Sequence, residues 1–301
     1  MMITPADIRA QCQKPHEQEE TYAWYVTRRI SPYATWFFIQ LGVKPNLVTV
    51  FTLLFGIGSG ILLAAGSRGF SLLGVIALQI MYILDCSDGE LARVTRRFSV
   101  EGEYLDKISH YLIDITVITG FTLGVYSYWD YRIFLYIAVW SAACVVGNRL
   151  LLDAAYKLLF LRHAEKGIPP QQAWSAEAGN YTVGNRLTIP ISRLTVSSRN
   201  KLYRILHGWF RFFPMPGYIY DTPALMNVIT LAVIIDMLLP RSWLMKDIDF
   251  RLLVAVFYAL SFSALFGVRL YSIFQRRVVT SWLSMTGADG SETRTGTKTH
   301  E

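Results

Sequence analysis

Six apolar segments divide the 301-residue chain, centred on Leu47–Ala65, Phe70–Leu84, Tyr104–Tyr126, Arg132–Leu152, Pro223–Leu239 and Phe250–Phe274. They lie near the roughly 17–25 residues that a helix needs to cross a bilayer. Composition agrees: 52% of residues are hydrophobic and 17% charged, with a mean hydropathy of +0.32. A soluble core of this size would show shorter, more punctuated apolar runs. These features predict an all-α integral membrane protein with six transmembrane helices, accompanied by amphipathic interfacial helices. The second segment is short unless its helix continues through the charged stretch that follows.

Orientation is read from the short loops, where Lys and Arg prefer the cytoplasmic side. Arg28, Arg29 and Lys44 flank the first segment, and Arg93, Arg96 and Arg97 follow the second. The long connection after the fourth carries Lys157, Arg162, Lys166, Arg186, Arg193, Arg199, Lys201, Arg204 and Arg211, whereas the opposite loops are poor in charge. Both termini and the charged stretch are therefore expected in the cytoplasm, in a multi-pass protein of a cell's inner or plasma membrane. The net charge of +7 then reads as a topology signal plus attraction to anionic headgroups. No motif supports a nucleic-acid partner.

The three cysteines, Cys12, Cys86 and Cys144, are scattered and lack metal-type spacing, so no disulfide framework or zinc site is expected. The opening "MMITPADIRAQCQKPHEQEE" has no basic region followed by an apolar leader, and no cleaved segment is expected. Residues 1–45 read as a cytosolic, juxtamembrane amphipathic segment, in which "ETYAWYVTRRISPYATWFFIQL" could lie in the headgroup plane. Residues 46–275 form the membrane domain, with 153–221 as a long cytosolic or interfacial insertion. Within it, Leu202, Ile205, Leu206, Trp209 and Phe213 recur at helical spacing among basic residues, the pattern of an interfacial helix. Residues 276–301 are small and polar, and read as a disordered tail.

The stretch "LDCSDGELARVTRRFSVEGEYLDKISHYLID", Leu84 to Asp114, is charged where the pattern calls for membrane. If it is helical, a step of about 100° per residue sets Asp85, Asp88, Gly89 and Ala92 on one side, with Arg93 at the margin. After a short turn through "VTRRFSVE", a second helix carries Gly102, Asp106 and His110 at i, i+4 and i+8, roughly one face. Facing each other, the two helices gather carboxylates and an imidazole. Divalent cations relieve such repulsion. Oxygen-rich sites favour Mg2+ or Mn2+, and an imidazole tilts the preference toward Mn2+ or Zn2+. Glycine and alanine leave room for a phosphorylated ligand, and Arg93 can neutralise a phosphate. The plainer alternative is Asp–Arg pairing in a cytosolic connector. Ionisable groups inside membrane helices are costly to insert, which makes them functional candidates.

These residues resemble the signature of the CDP-alcohol phosphotransferase (CDP-alcohol phosphatidyltransferase) family: two aspartates three apart, then Gly, Ala-Arg, a second Gly and two further aspartates at spacings of four. Asp85, Asp88, Gly89, Ala92, Arg93, Gly102 and Asp106 match, and His110 stands where the fourth aspartate belongs. At about 5–8% background usage per residue type, seven matches at fixed spacing arise by chance on the order of 10⁻⁸ per start position. "KPNLVT" at Lys44–Thr49 is similar to the family's Pro-Asn-x-x-Thr element.

The resemblance implies a six-helix membrane enzyme, usually a homodimer, that displaces CMP from a CDP-linked donor by attack of an alcohol hydroxyl on phosphorus. Asp85, Asp88, Asp106 and His110 are then expected to ligate divalent metal, Mg2+ or Mn2+. Gly89, Ala92 and Arg93, with Asn46 and Thr49, are expected to line the nucleotide pocket. One of the two substrates is a lipid. CDP-diacylglycerol is the favoured donor, because the cytosolic basic residues suit a phosphorylated acceptor.

The fourth aspartate is the family's presumed base, so His110 leaves three readings open. A neutral imidazole, of unperturbed pKa about 6.5, could accept the hydroxyl proton with Asp114, one turn on, orienting the ring. Asp114 could itself be the base. Or the chain is a catalytically altered member that binds without turnover. A cation-coupled transporter or lipid-binding membrane protein is the rival from another class, and broken helices or repeats between the halves would favour it. Arg149 and Asp153, at i and i+4, could pair, or Arg149 could read an acceptor phosphate.

Overall fold

The structure is a computed structural model that describes residues 3–13, 22–125, 131–165, 182–183, 186–187, 222–238 and 250–274. The helices are α1 (Pro5–Cys12), α2 (Arg28–Gln40), α3 (Pro45–Ala64), α4 (Arg68–Thr95), α5 (Val100–Gly124), α6 (Tyr131–Glu165), α7 (Thr222–Leu238) and α8 (Phe250–Phe274). A π-helical turn, Ala23–Thr27, leads into α2. The chain divides into two compact units, one of Met1–Val146 with Met215–Ser263 and one of Gly147–Pro214 with Ala264–Glu301.

A helix occupies each of the six apolar segments. Among the described residues, four stretches are long and apolar enough to cross a membrane: Pro45–Ala64, Arg68–Thr95, Arg132–Leu151 and Phe250–Gly267. The other two helices fall short for identifiable reasons. α5 opens on Glu101, Glu103, Asp106 and Lys107, and the apolar part of α7 is only Leu225–Leu238. Large apolar side chains point outward from α3 and α4, among them Leu54, Ile61 and Leu73, while Thr52, Ser59 and Ser71 are buried. That inside-out distribution is how helices pack when the surrounding solvent is itself apolar.

In the first unit, α3 packs against both α4 and α5. The α3–α5 contact is built on glycine. A Cβ added to Gly120 would lie 2.0 Å from the Gly60 carbonyl oxygen, and one on Gly60 would lie 2.4 Å from that of Thr116. The backbones therefore touch, as small residues allow in membrane helix pairs.

Continuous helix through the charged stretch resolves the short second segment: α4 runs unbroken from Arg68 to Thr95 and carries Asp85 and Asp88 inside it. Arg96 ends it in the left-handed region, φ 51°. The Arg97 and Arg96 amides donate to the carbonyls of Ala92 (3.1 Å) and Arg93 (3.3 Å), the two bonds of a Schellman motif. Ser99 then caps α5 by accepting from the Gly102 amide at 3.0 Å. The turn is thus shorter than "VTRRFSVE", and it returns α5 antiparallel to α4.

The amphipathic segment before the first span is helical, but its polar face is the buried one. Arg28, Ser31 and Thr35 of α2 are buried while Tyr25, Ile30, Tyr33 and Phe37 are exposed. Arg28 is accordingly not a solvated flanking charge.

At the far end of α4, buried Asp236 of α7 stands 3.3 Å from Arg251 Nε and 3.8 Å from Arg68 Nε. Arg251 Nη1 also donates to the Gly66 carbonyl and to Ser71 Oγ. The described cysteines are buried free thiols.

In the second unit, the helix of the fourth apolar segment continues to Glu165, past the residue 153 at which the insertion was expected to begin. Two-residue strands β1 (Thr182–Val183) and β2 (Arg186–Leu187) pair antiparallel within that insertion, and every other element among the described residues is helical. The interfacial helix expected near 199–213 and the tail at 276–301 lie outside the described residues.

Candidate active site

Three helix ends converge in the first unit: the start of α3, the last turns of α4 and the start of α5. α4 and α5 both pack on α3, and this shared support brings the Asp85 side chain to those of Asp106 and His110. Asp85, Asp106 and His110 come together so that one ligand atom from each lies within 4.8 Å of the others. His110 Nε2 is 3.3 Å from Asp85 Oδ1 and 3.4 Å from Asp106 Oδ1. All three side chains are partly accessible, with Asp106 the most open at 44% exposure. Two hard oxygen donors and one imidazole, reachable from outside, suit a divalent metal ion of the Mg2+, Mn2+ or Zn2+ type.

Asp88 sits one turn beyond Asp85 and is more deeply buried. Its Oδ2 accepts a 2.7 Å hydrogen bond from Thr49 Oγ1. The "KPNLVT" element thereby reaches the signature directly. Asn46, also from that element, stands against Gly102: a Cβ on Gly102 would lie 2.7 Å from Asn46 Oδ1. Glycine at 102 is what lets α5 approach the α3 start so closely. Of the residues expected to ligate metal, Asp85, Asp106 and His110 form the cluster, whereas Asp88, one turn on from Asp85, lies outside that group of three and is bonded to Thr49.

Gly89, Ala92 and Arg93 occupy the adjoining turn of α4. The Arg93 guanidinium lies over Gly89, since a Cβ there would meet Arg93 Nη1 at 3.3 Å. Arg93 Nε donates to the Cys12 carbonyl at the end of α1. Asp114 lies on the same helix as His110, one turn on, and is buried.

Sequence reasoning passed over a second cluster on the opposite side of α4. Glu90, between the signature residues Gly89 and Ala92, is fully buried. Its Oε1 accepts from Arg28 Nη1 (3.0 Å), Ser31 Oγ (2.7 Å) and Gln13 Nε2 (3.0 Å), and its Oε2 from Thr35 Oγ1 (2.8 Å). Arg28 Nη1 also donates to the Cys86 carbonyl at 3.3 Å. Pro32 lacks the amide that would bond the Arg28 carbonyl four residues earlier, and Gln13 Nε2 takes that carbonyl at 2.6 Å. A carboxylate inside an apolar segment was the available signal. Its partner Arg28 was masked by reading it as a topology charge.

The arrangement can hold a divalent cation beside a small-residue strip and a guanidinium, a combination that suits a diphosphate. The family model described as CDP-alcohol phosphatidyltransferase matches residues 43–196, half of the chain, and reaches into the 153–221 insertion. The chain is also similar to a bifunctional IPC transferase and DIPP synthase of Aquifex aeolicus (strain VF5), 32% identical over 131 residues. That match covers 44% of this chain and 28% of the relative's length.

Proposed function

The chain belongs to the CDP-alcohol phosphatidyltransferase family, and from that premise we propose that it is a membrane-embedded transferase acting on a CDP-linked donor. An alcohol hydroxyl attacks the donor phosphorus, a phosphodiester forms, the pyrophosphate linkage breaks and CMP leaves. The observation that carries this reading is the meeting of Asp85, Asp106 and His110 at one point, beside Asp88 and the Gly89–Arg93 turn.

Asp85, Asp106 and His110, with Asp88 adjoining, are the residues that would hold Mg2+ or Mn2+. When bound, such an ion supplies charge neutralisation for the diphosphate. Gly89 and Ala92 give the nucleotide close access to the α4 backbone, and Arg93 places a fixed positive charge at a phosphate. Asn46 and Thr49 border the same pocket. Where the aspartates alone hold the metal, His110 is left to accept the hydroxyl proton at Nε2, and buried Asp114 lies one turn behind it on the same helix. Because positioning dominates such a reaction, the rigidity of the three helix ends matters as much as the identity of the base.

The chain is read as six spans over residues 46–275, with an interfacial segment at 1–45, an insertion at 153–221 and a cytosolic tail at 276–301. Both termini face the cytoplasm of an inner or plasma membrane, and the enzyme works as a homodimer. CDP-diacylglycerol is the favoured donor and a cytosolic, phosphorylated alcohol the favoured acceptor. The relative's name, a transferase and synthase, is compatible with group transfer of this type. The unbroken course of α4 through its acidic residues speaks against a transporter with a discontinuous helix.

The test is CMP release by purified protein from CDP-diacylglycerol, screened against polyol phosphates, inositol-type polyols and serine with Mg2+ or Mn2+. A parallel arm offers a soluble CDP-alcohol with diacylglycerol. Binding of the CDP compound with no CMP release in either arm identifies a catalytically altered member. Absence of both binding and release overturns the transferase reading.

A further inference from the structure

Two α4 side chains within the signature, Glu90 and Arg93, bond to the N-terminal segment. Glu90 collects four donors from Gln13, Arg28, Ser31 and Thr35. Arg93, less than a full turn on, donates through Nε to the carbonyl of Cys12. Gln13 directly follows Cys12 and ties the same few residues to both Glu90 and the Arg28 carbonyl. The end of α1 is thus held on α4 from two sides.

We propose that the N-terminal segment is a positioning element of the catalytic site: Glu90 docks it on α4, and the Cys12 carbonyl then sets the plane of the Arg93 guanidinium beside Gly89. The proposal rests on the CDP-donor reading above. Arginine has a long, rotamer-rich stem and a planar fork whose direction decides which oxygens it can meet. Fixing Nε on a backbone carbonyl selects one orientation of that fork. A buried carboxylate is a costly way merely to hold two helices together, because apolar side chains of similar volume do so without desolvating charge. Its use makes sense where direction matters, since each of its hydrogen bonds has a preferred geometry. Glu90 and Gln13 are here positioning residues, acting on substrate only through Arg93.

The test uses the full chain in detergent micelles with three readouts. The first is maleimide modification of Cys12, located by mass spectrometry. Cys12 is a suitable reporter, being 7% exposed, with burial pushing its thiol pKa up. The second is the KM and kcat of CMP release from CDP-diacylglycerol. The third is Mn2+ binding, which reports the Asp85–Asp106–His110 cluster. Glu90→Gln is expected to speed Cys12 labelling and to raise the donor KM by about tenfold, the scale of one lost charge-assisted hydrogen bond, with kcat and Mn2+ affinity changed by less than about threefold. Gln13→Ala, at the edge of the cluster, should shift the same two quantities in the same direction, and it serves if Glu90→Gln does not fold. Arg93→Lys should raise KM and make it insensitive to a second change at Glu90.

Faster Cys12 labelling with an unchanged donor KM overturns the positioning role and leaves a purely structural clamp. Unchanged labelling and unchanged KM overturn the docking as well. Absence of CMP release from the wild-type chain with any CDP donor removes the donor reading itself, an outcome distinct from a working enzyme whose KM ignores Glu90.

Discussion

Thr49 of α3 donates a 2.7 Å hydrogen bond to Asp88 of α4, joining two elements that lie 39 residues apart in the chain. The bond orients the buried carboxylate and takes one of its oxygens. Thr49→Val keeps the shape and removes the donor. Activity, or the affinity for Mn2+, should fall about 10–100-fold, the usual effect of losing a partner that orients a metal-site group. Thr49→Ser should retain most of both. Equal activity in the valine variant would detach Thr49 from the site.

His110 lies between Asp85 and Asp106, where the signature has its fourth aspartate. His110→Asp should keep or raise the rate of CMP release. His110→Ala should lower it about 10²–10⁴-fold, the range contributed by a positioned acid–base group. Full activity in the alanine variant moves the base role to Asp114, and Asp114→Asn becomes the deciding measurement.

Chelation of divalent metal should abolish CMP release, and added Mg2+ or Mn2+ should restore it. The chelated protein should remain helical by circular dichroism, because α4 and α5 are held by α3 and not by the metal cluster. Undiminished turnover in excess chelator would contradict the assignment of Asp85, Asp106 and His110.

Gly120 and Gly60 meet backbone to backbone. Gly120→Leu must push α3 and α5 apart, and with them Asn46 and Gly102 at the site end. Overpacking of this kind costs about 1–3 kcal/mol or more, so thermal unfolding in detergent should shift down and activity should fall with it. An unchanged melting temperature would show that α3 and α5 do not pack this closely.

Asp236 and Arg251 form their pair near the start of α4, whereas Asp85 is about 26 Å further along that helix at the standard rise. Asp236→Asn leaves Arg251 and Arg68 without their shared carboxylate. Removing one partner of a buried pair costs about 3–5 kcal/mol. Stability should drop while the donor KM of the folded fraction holds. A KM change matching that of the site variants would argue for coupling along α4.

Much of this protein follows from local pattern. Apolar run length set where the helices are, because a helix satisfies its own backbone and needs no partner to be legible. The spacing Asp85, Asp88, Gly89, Ala92, Arg93, Gly102, Asp106 and His110 placed the site residues on two helix faces, because helical periodicity is a property of the chain alone. Glu90 illustrates the limit. It lies inside the same signature, yet its role depends on Gln13, Arg28, Ser31 and Thr35, whose sequence separations from it run from 55 to 77 residues. Nothing periodic links them. Arg28 likewise reads as a flanking charge until its helix is seen to bury its polar face. The sequence by itself determined the helices and the helix faces on which Asp85, Asp106 and His110 lie. Only the tertiary structure decided which side chains meet: Thr49 with Asp88, His110 with Asp85, and the N-terminal segment with Glu90 and Arg93. Interhelical approach is governed by glycine contacts and buried hydrogen bonds between distant segments, and those are properties of the packed molecule.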